Sequence, residues 1–124
     1  MIQASGAKIE TEAANNMPVY NKLVRDRIPE IIEKSGKRLS LRILGDEEYM
    51  EELRTKLGEE LEEYLAADHA VAAVEELADM LELIYAAAAA HGATPHQLDM
   101  IREKKAEERG AFNERIYLIE VEDE

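Results

Sequence analysis

The chain has 124 residues, 46% of them hydrophobic, which is enough for one domain with a modest core but not for two. Its formal net charge of −13 argues against nonspecific binding to nucleic acid or to anionic membranes, because both polyanions would be repelled. There is no cysteine, which excludes disulfides, thiol catalysis and thiolate metal sites.

The apolar residues are not arranged for a membrane. The longest apolar run, residues 83–90, is too short to span a bilayer, and the first residues lack the apolar core of a signal peptide. We therefore expect a cytoplasmic protein with no membrane partner. Residues 1–16 are polar and lack helical spacing, so we interpret them as an N-terminal extension, native or added, preceding a single domain over residues 17–124.

The first segment of that domain combines apolar residues with Lys22, Arg25 and Arg27. These cations have two interpretations: contacts to a phosphate group, or surface charge that balances an acidic body. Pro29 fits the first turn of a short helix, and Gly36 fits its end.

Two segments have the pattern of β-strands. Residues 38–44 alternate between apolar and polar side chains, and residues 116–121 form a second apolar run near the C-terminus. Each is the only obvious partner of the other. We predict a mainly α protein, a helical bundle around an antiparallel helix hairpin, with a small two-stranded β element.

The two long helices of the hairpin lie between these strands. Asp46 is a suitable N-cap for the first helix, and residues 67–70 suit the turn to the second. His91 and Gly92 should end the second helix. A last helix is predicted from a capping box at residues 94–97 to about Arg109.

Two acidic pairs stand at helical spacing in the hairpin. Glu60 and Glu63 share a face of the first helix, as do Glu76 and Asp79 on the second. A turn at residues 67–70 places Glu63 opposite Glu76 and Glu60 opposite Asp79. Two carboxylates about 6 Å apart repel by about 3 kcal/mol at an effective dielectric of 20, so such a cluster is costly without a cation. Mg²⁺ suits such oxygen ligands, with Mn²⁺ as a substitute.

The alternative is that these acids are simply solvated on an acidic helix. Against it, the only charged residues in 71–90 are Glu75, Glu76, Asp79 and Glu82, which share one arc of about 120°. A helix that is apolar on the rest of its circumference is normally buried, so the acids should line a cavity. Its apolar surface is more than one hairpin covers, which predicts a homodimer or a higher homo-oligomer.

The last helix carries a basic face that includes Lys105 and Arg109. These residues would either hold a phosphate tail or pair with neighbouring glutamates. Phe112, the only phenylalanine, would either stack on a base or cover the core.

The two acidic pairs, twelve residues apart, resemble those of the all-α NTP pyrophosphohydrolases of the MazG-like superfamily. The segment Tyr-Asn-Lys-Leu-Val-Arg-Asp-Arg-Ile-Pro at residues 20–29 looks like the phosphoribosyl-ATP pyrophosphohydrolase-like, house-cleaning branch of that superfamily. So does the closing pattern Lys105-x-x-x-Arg109-Gly110-x-Phe112. The resemblance covers residues 17 to about 121.

The resemblance implies a MazG-like bundle that hydrolyses a nucleoside triphosphate, of a noncanonical kind, to its monophosphate and pyrophosphate with Mg²⁺. Its motif implies four metal ligands, Glu60, Glu63, Glu76 and Asp79. The implied catalytic residues are Glu59, Glu60 and Glu63, with Glu59 orienting the attacking water. The implied substrate-binding residues are Lys22, Arg25, Lys105, Arg109 and Phe112.

Two other functions stay open at this stage. A phosphoribosyl-ATP pyrophosphohydrolase of histidine biosynthesis would share the fold and the metal motif but hydrolyse a different nucleotide. A noncatalytic helical interaction module would keep the metal site and bind partners without turning over any nucleotide.

Overall fold

A computed structural model describes residues 17–123 of the chain, so the predicted extension at residues 1–16 lies outside the described residues. The described chain is mainly helical, as predicted. Its helices are α1 (Ile28–Lys34), α2 (Asp46–Ala66), α3 (Ala70–Ala90) and α4 (Pro95–Arg109).

Helices α2 and α3 form the predicted antiparallel hairpin and make the main tertiary contact of the described chain. The turn between them is short because His69 caps α3: its Nδ1 accepts a hydrogen bond from the Ala72 backbone amide at 3.3 Å. At the other end of the hairpin, the prediction that Asp46 caps α2 is wrong. Gly45 is the N-cap, and Asp46 is the first helical residue, where its charge favours the helix dipole.

The ends of α3 and α4 follow the local signals in the sequence. Gly92 adopts a positive φ of 91° just after α3 and so reverses the chain direction. The predicted capping box of α4 is confirmed: the Gln97 amide donates to the Thr94 hydroxyl at 3.1 Å, and the Thr94 amide donates to the Gln97 side chain at 2.9 Å. Gly110 ends α4, with φ 85°.

The predicted two-stranded β element does not form within residues 17–123, where neither residues 38–44 nor residues 116–121 belong to a strand. The alternating pattern specifies an extended backbone but supplies no hydrogen-bonding partner. Both segments lack regular secondary structure, and most of their residues are exposed.

Few apolar side chains are buried in a single chain. Within residues 17–123, Leu53 on α2 is the one fully buried hydrophobic residue. Helix α3 was expected to be buried, yet it contributes no fully buried residue. An apolar stripe of exposed side chains runs along it instead, made of Val71, Val74, Leu77, Leu81 and Ile84. At about 100° per residue, all of the stripe except Val71 lies on roughly the opposite side of α3 from the acids.

No helix in the described part of the chain is both long and apolar enough to cross a membrane.

Candidate metal centre

The hairpin brings three of the four predicted ligands together. One carboxylate oxygen from each of Glu60, Glu63 and Glu76 lies within 4.8 Å of the other two. Glu60 and Glu63 project from α2 and Glu76 from α3, so the cluster spans the interface between the two long helices. We call these three residues the acidic cluster.

The members of the acidic cluster differ in burial. Glu60 is only 8% exposed, because it borders the apolar side of α2 that faces α3. Glu76 is half-buried, and Glu63 is exposed at the edge. The cluster therefore has a closed inner side at Glu60 and an open side at Glu63, from which an ion or a substrate has access.

The electrostatics of the acidic cluster are unfavourable for three negative charges. The pKa of Glu60 is raised to about 7, mainly because burial disfavours the charged carboxylate. The pKa is raised further by the hydrogen bond that a protonated Glu60 carboxyl group can donate to Glu76, and by repulsion of the charged form from Glu63, Asp79 and Glu76. At neutral pH Glu60 is therefore partly protonated when no cation is bound.

Two carboxylate oxygens of the acidic cluster have no hydrogen-bond partner although they are buried. They are Oε1 of Glu60 and Oε1 of Glu76. Buried polar atoms are nearly always satisfied, and a carboxylate oxygen without a donor is a ready ligand for a hard cation. The residues present thus fit a divalent cation that prefers oxygen ligands.

Asp79, the fourth predicted ligand, has a different partner. Its Oδ1 accepts a hydrogen bond from Nη2 of Arg25 at 2.6 Å. Asp79 is nevertheless close enough to Glu60 for its charge to raise the pKa of Glu60. The contact ties the segment before α1 to α3 beside the acidic cluster. Of the predicted substrate-binding residues, Arg25 is therefore the one that contacts a predicted metal ligand.

Glu59 precedes Glu60 on α2 and is exposed. It does not belong to the acidic cluster, because one helical residue turns the side chain by about 100°. Its predicted role in orienting water stays a prediction.

A cavity of about 480 Å³ opens next to Arg25. It is formed by the segment before α1, residues 41–44 and the first turns of α2, with Lys22, Arg25, Arg42, Glu48, Tyr49 and Glu52 in its lining. Arg42 donates to Glu48 from both terminal nitrogens, at 3.0 and 2.6 Å. This ion pair lowers the pKa of Glu48 and raises that of Arg42.

Sequence reasoning missed this cavity. The spacing of six between Arg42 and Glu48 crosses the boundary of α2, so no helical periodicity reveals the pair. The only signal was the concentration of cations in residues 22–27, which fitted either phosphate contacts or surface charge that balances the acidic body.

The C-terminal substrate-binding candidates lie elsewhere. Lys105 and Arg109 are exposed on α4, and in the described residues neither forms an ion pair. The neighbouring Lys104 pairs with Glu108, at 3.6 Å. Phe112 is 96% exposed and so does not cover the core of its own chain.

Comparison with known proteins gives little functional information. No protein-family model matches the chain, and no solved structure is similar to it. An uncharacterized protein of Mycolicibacterium smegmatis is 53% identical over 53 residues, which make up 43% of this chain and 54% of that protein. The chain thus spans about half the length of the relative it matches.

Proposed function

We propose that the protein is a Mg²⁺-dependent nucleoside triphosphate pyrophosphohydrolase of the MazG-like superfamily that removes noncanonical nucleotides from the cellular pool. The observation that carries the proposal is the acidic cluster. Three carboxylates from two helices converge within 4.8 Å, and two of their oxygens are buried without a partner. Such an arrangement is costly unless a cation is bound.

Glu60, Glu63 and Glu76 would hold the ion, with Asp79 as a fourth ligand once Arg25 releases it. Mg²⁺ suits a set of carboxylate oxygens, and Mn²⁺ has similar ligand preferences. Bound there, the ion would neutralise charge on the phosphate oxygens of the substrate. The open side of the cluster at Glu63 leaves room for those oxygens.

The chemistry needs no covalent nucleophile from the protein. A water oxygen forms a bond to phosphorus on one side of the α–β bridge while the bond from that phosphorus to the bridging oxygen breaks. The products are a nucleoside monophosphate and pyrophosphate, and the proton of the water passes to a carboxylate. We assign the orientation of that water to Glu59, which is adjacent to Glu60 and accessible.

Arg25 is the best placed cation for the phosphate chain. Its guanidinium group forms an ion pair with Asp79. Phosphate oxygens of the substrate would be a second anionic partner for the same guanidinium group. Lys22 lines the cavity on the same segment. Lys105, Arg109 and Phe112 belong to the proposed substrate site through the sequence resemblance alone.

We assign the nucleoside part of the substrate to the cavity next to Arg25. Glu52 in its lining and Glu60 in the acidic cluster are eight residues apart on α2, or about 12 Å along the helix axis. Arg25 lines the cavity and contacts Asp79 at the cluster. A nucleotide in the cavity would therefore extend its phosphates past Arg25 toward the acids.

The test is a screen of canonical and modified nucleoside triphosphates, with phosphoribosyl-ATP included, in which pyrophosphate release is measured with and without Mg²⁺. We expect Mg²⁺-dependent release from at least one nucleoside triphosphate, and its loss in Glu63→Gln. Glu62→Gln, an exposed neighbour on α2, is the matched control. Release from phosphoribosyl-ATP alone would identify the histidine-biosynthesis enzyme instead, and no release from any substrate would exclude catalysis.

A further inference from the structure

The last described part of the chain is an apolar segment that begins with a bend and a turn at residues 112–114 and has no regular secondary structure after them. We call residues 112–123 the C-terminal arm. Its large apolar side chains are between 72% and 96% exposed; they are Phe112, Ile116, Tyr117, Leu118, Ile119 and Val121. Exposing so many consecutive apolar side chains to water is unfavourable and marks a contact surface.

A second segment also exposes apolar side chains to solvent. We call residues 38–44 the receiving segment; Leu41 and Ile43 within it are both exposed, Ile43 by 88%. Within residues 17–123, neither segment takes part in a strand pair. The arm of the same chain does not lie on its receiving segment, so the apolar face of each requires another partner.

We propose that the C-terminal arm of one copy pairs as an antiparallel β-strand with the receiving segment of a second copy, and that the exchange is reciprocal. Such an isologous contact closes a symmetric dimer and leaves no arm exposed. The pairing would supply the two-stranded element that a single chain lacks.

One antiparallel register satisfies both the apolar and the charged side chains. It sets Ile43 opposite Tyr117, and every other pair follows from it. The opposed apolar pairs are Leu39 with Val121, Leu41 with Ile119, and Ile43 with Tyr117. Apolar cross-strand pairs of this kind stabilise a sheet, and a slip by one residue would set Leu39 against Glu120.

Charge complementarity supports the same register. The arm ends in Glu122 and Asp123, whereas the receiving segment begins with Arg38, preceded by Lys37. With Ile43 opposite Tyr117, Arg38 lies opposite Glu122, and Lys37 opposite Asp123. Opposite charges directly across a strand pair are favourable, and these cations have no ion pair within the described chain.

The exchange would also change the proposed substrate site. Residues 41–44 form one wall of the cavity, and in this register Leu44 lies opposite Ile116 of the second copy. Phe112 lies on the other side of the turn at residues 113–114 and is not part of the paired strand. The exchange would thus add Ile116 of the second copy to that wall of the cavity, a consequence that rests on the proposed function, whereas the strand exchange does not.

The absence of cysteine in the chain allows a direct test by disulfide cross-linking. Full-length Ile43→Cys and Tyr117→Cys proteins, carrying tags of different mass, are mixed, allowed to exchange subunits and oxidised with oxidised glutathione. We expect a disulfide between the two differently tagged chains, because directly opposed residues of an antiparallel pair have Cα atoms about 4.5–5.5 Å apart, within the range that a disulfide spans. Circular dichroism of each variant checks that the helices remain.

The matched control replaces Tyr117→Cys with Leu118→Cys, the adjacent residue, whose side chain points to the other face of the strand. Its cross-linking yield with Ile43→Cys should be severalfold lower. If Tyr117→Cys does not fold, Leu41→Cys with Ile119→Cys tests the same register.

Three outcomes would overturn the proposal. The first is an equal yield with the Leu118→Cys control. The second is no link between folded chains. The third is a link within one chain when Ile43→Cys and Tyr117→Cys are combined in the same protein, which would place the strand pair inside a monomer.

Discussion

Arg25 Nη2 and Asp79 Oδ1 are hydrogen-bonded at 2.6 Å, although 54 positions separate the two residues in the chain. The ion pair fastens the segment before α1 to α3 at the edge of the acidic cluster. Its side chains are 58% and 42% exposed, and exposed ion pairs contribute at most about 1 kcal/mol. Asp79 can therefore exchange Arg25 for another cation at little cost, and Arg25 is then free for a phosphate.

The first prediction concerns this arginine. Arg25→Ala should raise the KM for the nucleotide by about tenfold or more, because a charge-assisted contact to phosphate is lost. The kcat should fall less, since the contact exists in both ground and transition states. The matched control is Arg27→Ala, which removes an equally charged neighbour that pairs only with Glu30 on α1. Steady-state kinetics of both variants measure KM and kcat. If the two substitutions change these constants equally, Arg25 does not belong to the substrate site.

The second prediction is a pH dependence of stability in the absence of metal. The pKa of Glu60 is about 7 in the folded chain and lies near 4.5 when unfolded. Between these pH values the folded state holds a proton that the unfolded state has lost, so the free energy of unfolding decreases as pH rises from about 4.5 to about 7. Below pH 4.5 Glu60 is protonated in both states and does not lower the free energy of unfolding. Above about pH 7 it is charged in both states, and the loss of stability is complete.

Glu60→Gln should therefore gain stability relative to wild type as pH rises, by up to about 3 kcal/mol above pH 7. Urea denaturation at pH 5 and pH 8, with chelator present, measures the difference. Glu62→Gln removes the same charge from an exposed position on α2 and should show no comparable change. If the stabilities of the two variants change alike with pH, the burial of Glu60 is not the cause of the pH dependence of stability.

The sequence predicted what local signals determine. Residues 94–97 define the start of α4 and Gly110 its end, and the turn after Ala66 sets the hairpin that brings Glu60 and Glu76 together. These features depend on spacing and on backbone conformation within a few residues. They can therefore be predicted from the sequence without knowledge of the tertiary structure.

Tertiary contacts could not be predicted from local sequence signals. The approach of Arg25 to Asp79 joins two distant segments, and no periodicity connects them. The alternating pattern of residues 38–44 indicated an extended backbone but not its partner. The stripe on α3 had the composition of a buried face, yet composition does not distinguish burial in one chain from burial between two.

The third prediction tests whether the acidic cluster binds metal. Mg²⁺ should raise the free energy of unfolding with the logarithm of its concentration, by about 2.7 kcal/mol at a concentration one hundred times the dissociation constant. The double variant Glu60→Gln, Glu76→Gln should lose this stabilisation. Glu62→Gln with Glu75→Gln removes the same charge from exposed neighbours and should keep it. Identical Mg²⁺ responses in wild type and the first double variant would exclude the metal site.

The fourth prediction separates catalysis from stability. Glu63→Gln should abolish pyrophosphate release, while the metal-free protein is as stable as wild type or slightly more so, because like-charge repulsion is relieved. Asp79→Asn should also abolish release, but it weakens the ion pair with Arg25 and should lower stability by at most about 1 kcal/mol. Assays of hydrolysis and of urea denaturation on the same preparations measure both effects. A fully active Glu63→Gln protein would contradict the proposed mechanism.

The last prediction is that the chain forms a homodimer or a higher homo-oligomer through the apolar stripe on α3. Val71 and Val74 are 67% and 62% exposed there, and Leu77, Leu81 and Ile84 continue the same face. Burial of such a stripe against a second copy would remove large apolar side chains from water, at about 1.5–3 kcal/mol each when complete.

Leu81→Glu should remove the association that the stripe contributes and so lower the mean molecular mass of the assembly, because it places a charge in the centre of the stripe, where burial would desolvate it. The proposed strand exchange does not involve α3 and should not be affected. Glu82→Gln, the next residue on α3 and outside the stripe, is the control and should leave association unchanged. Light scattering at micromolar concentration distinguishes the species, and a monodisperse wild-type monomer would contradict the prediction. Helix α3 itself should remain folded in Leu81→Glu, because the side of the helix that faces α2 is unchanged. Circular dichroism therefore distinguishes loss of association from loss of fold.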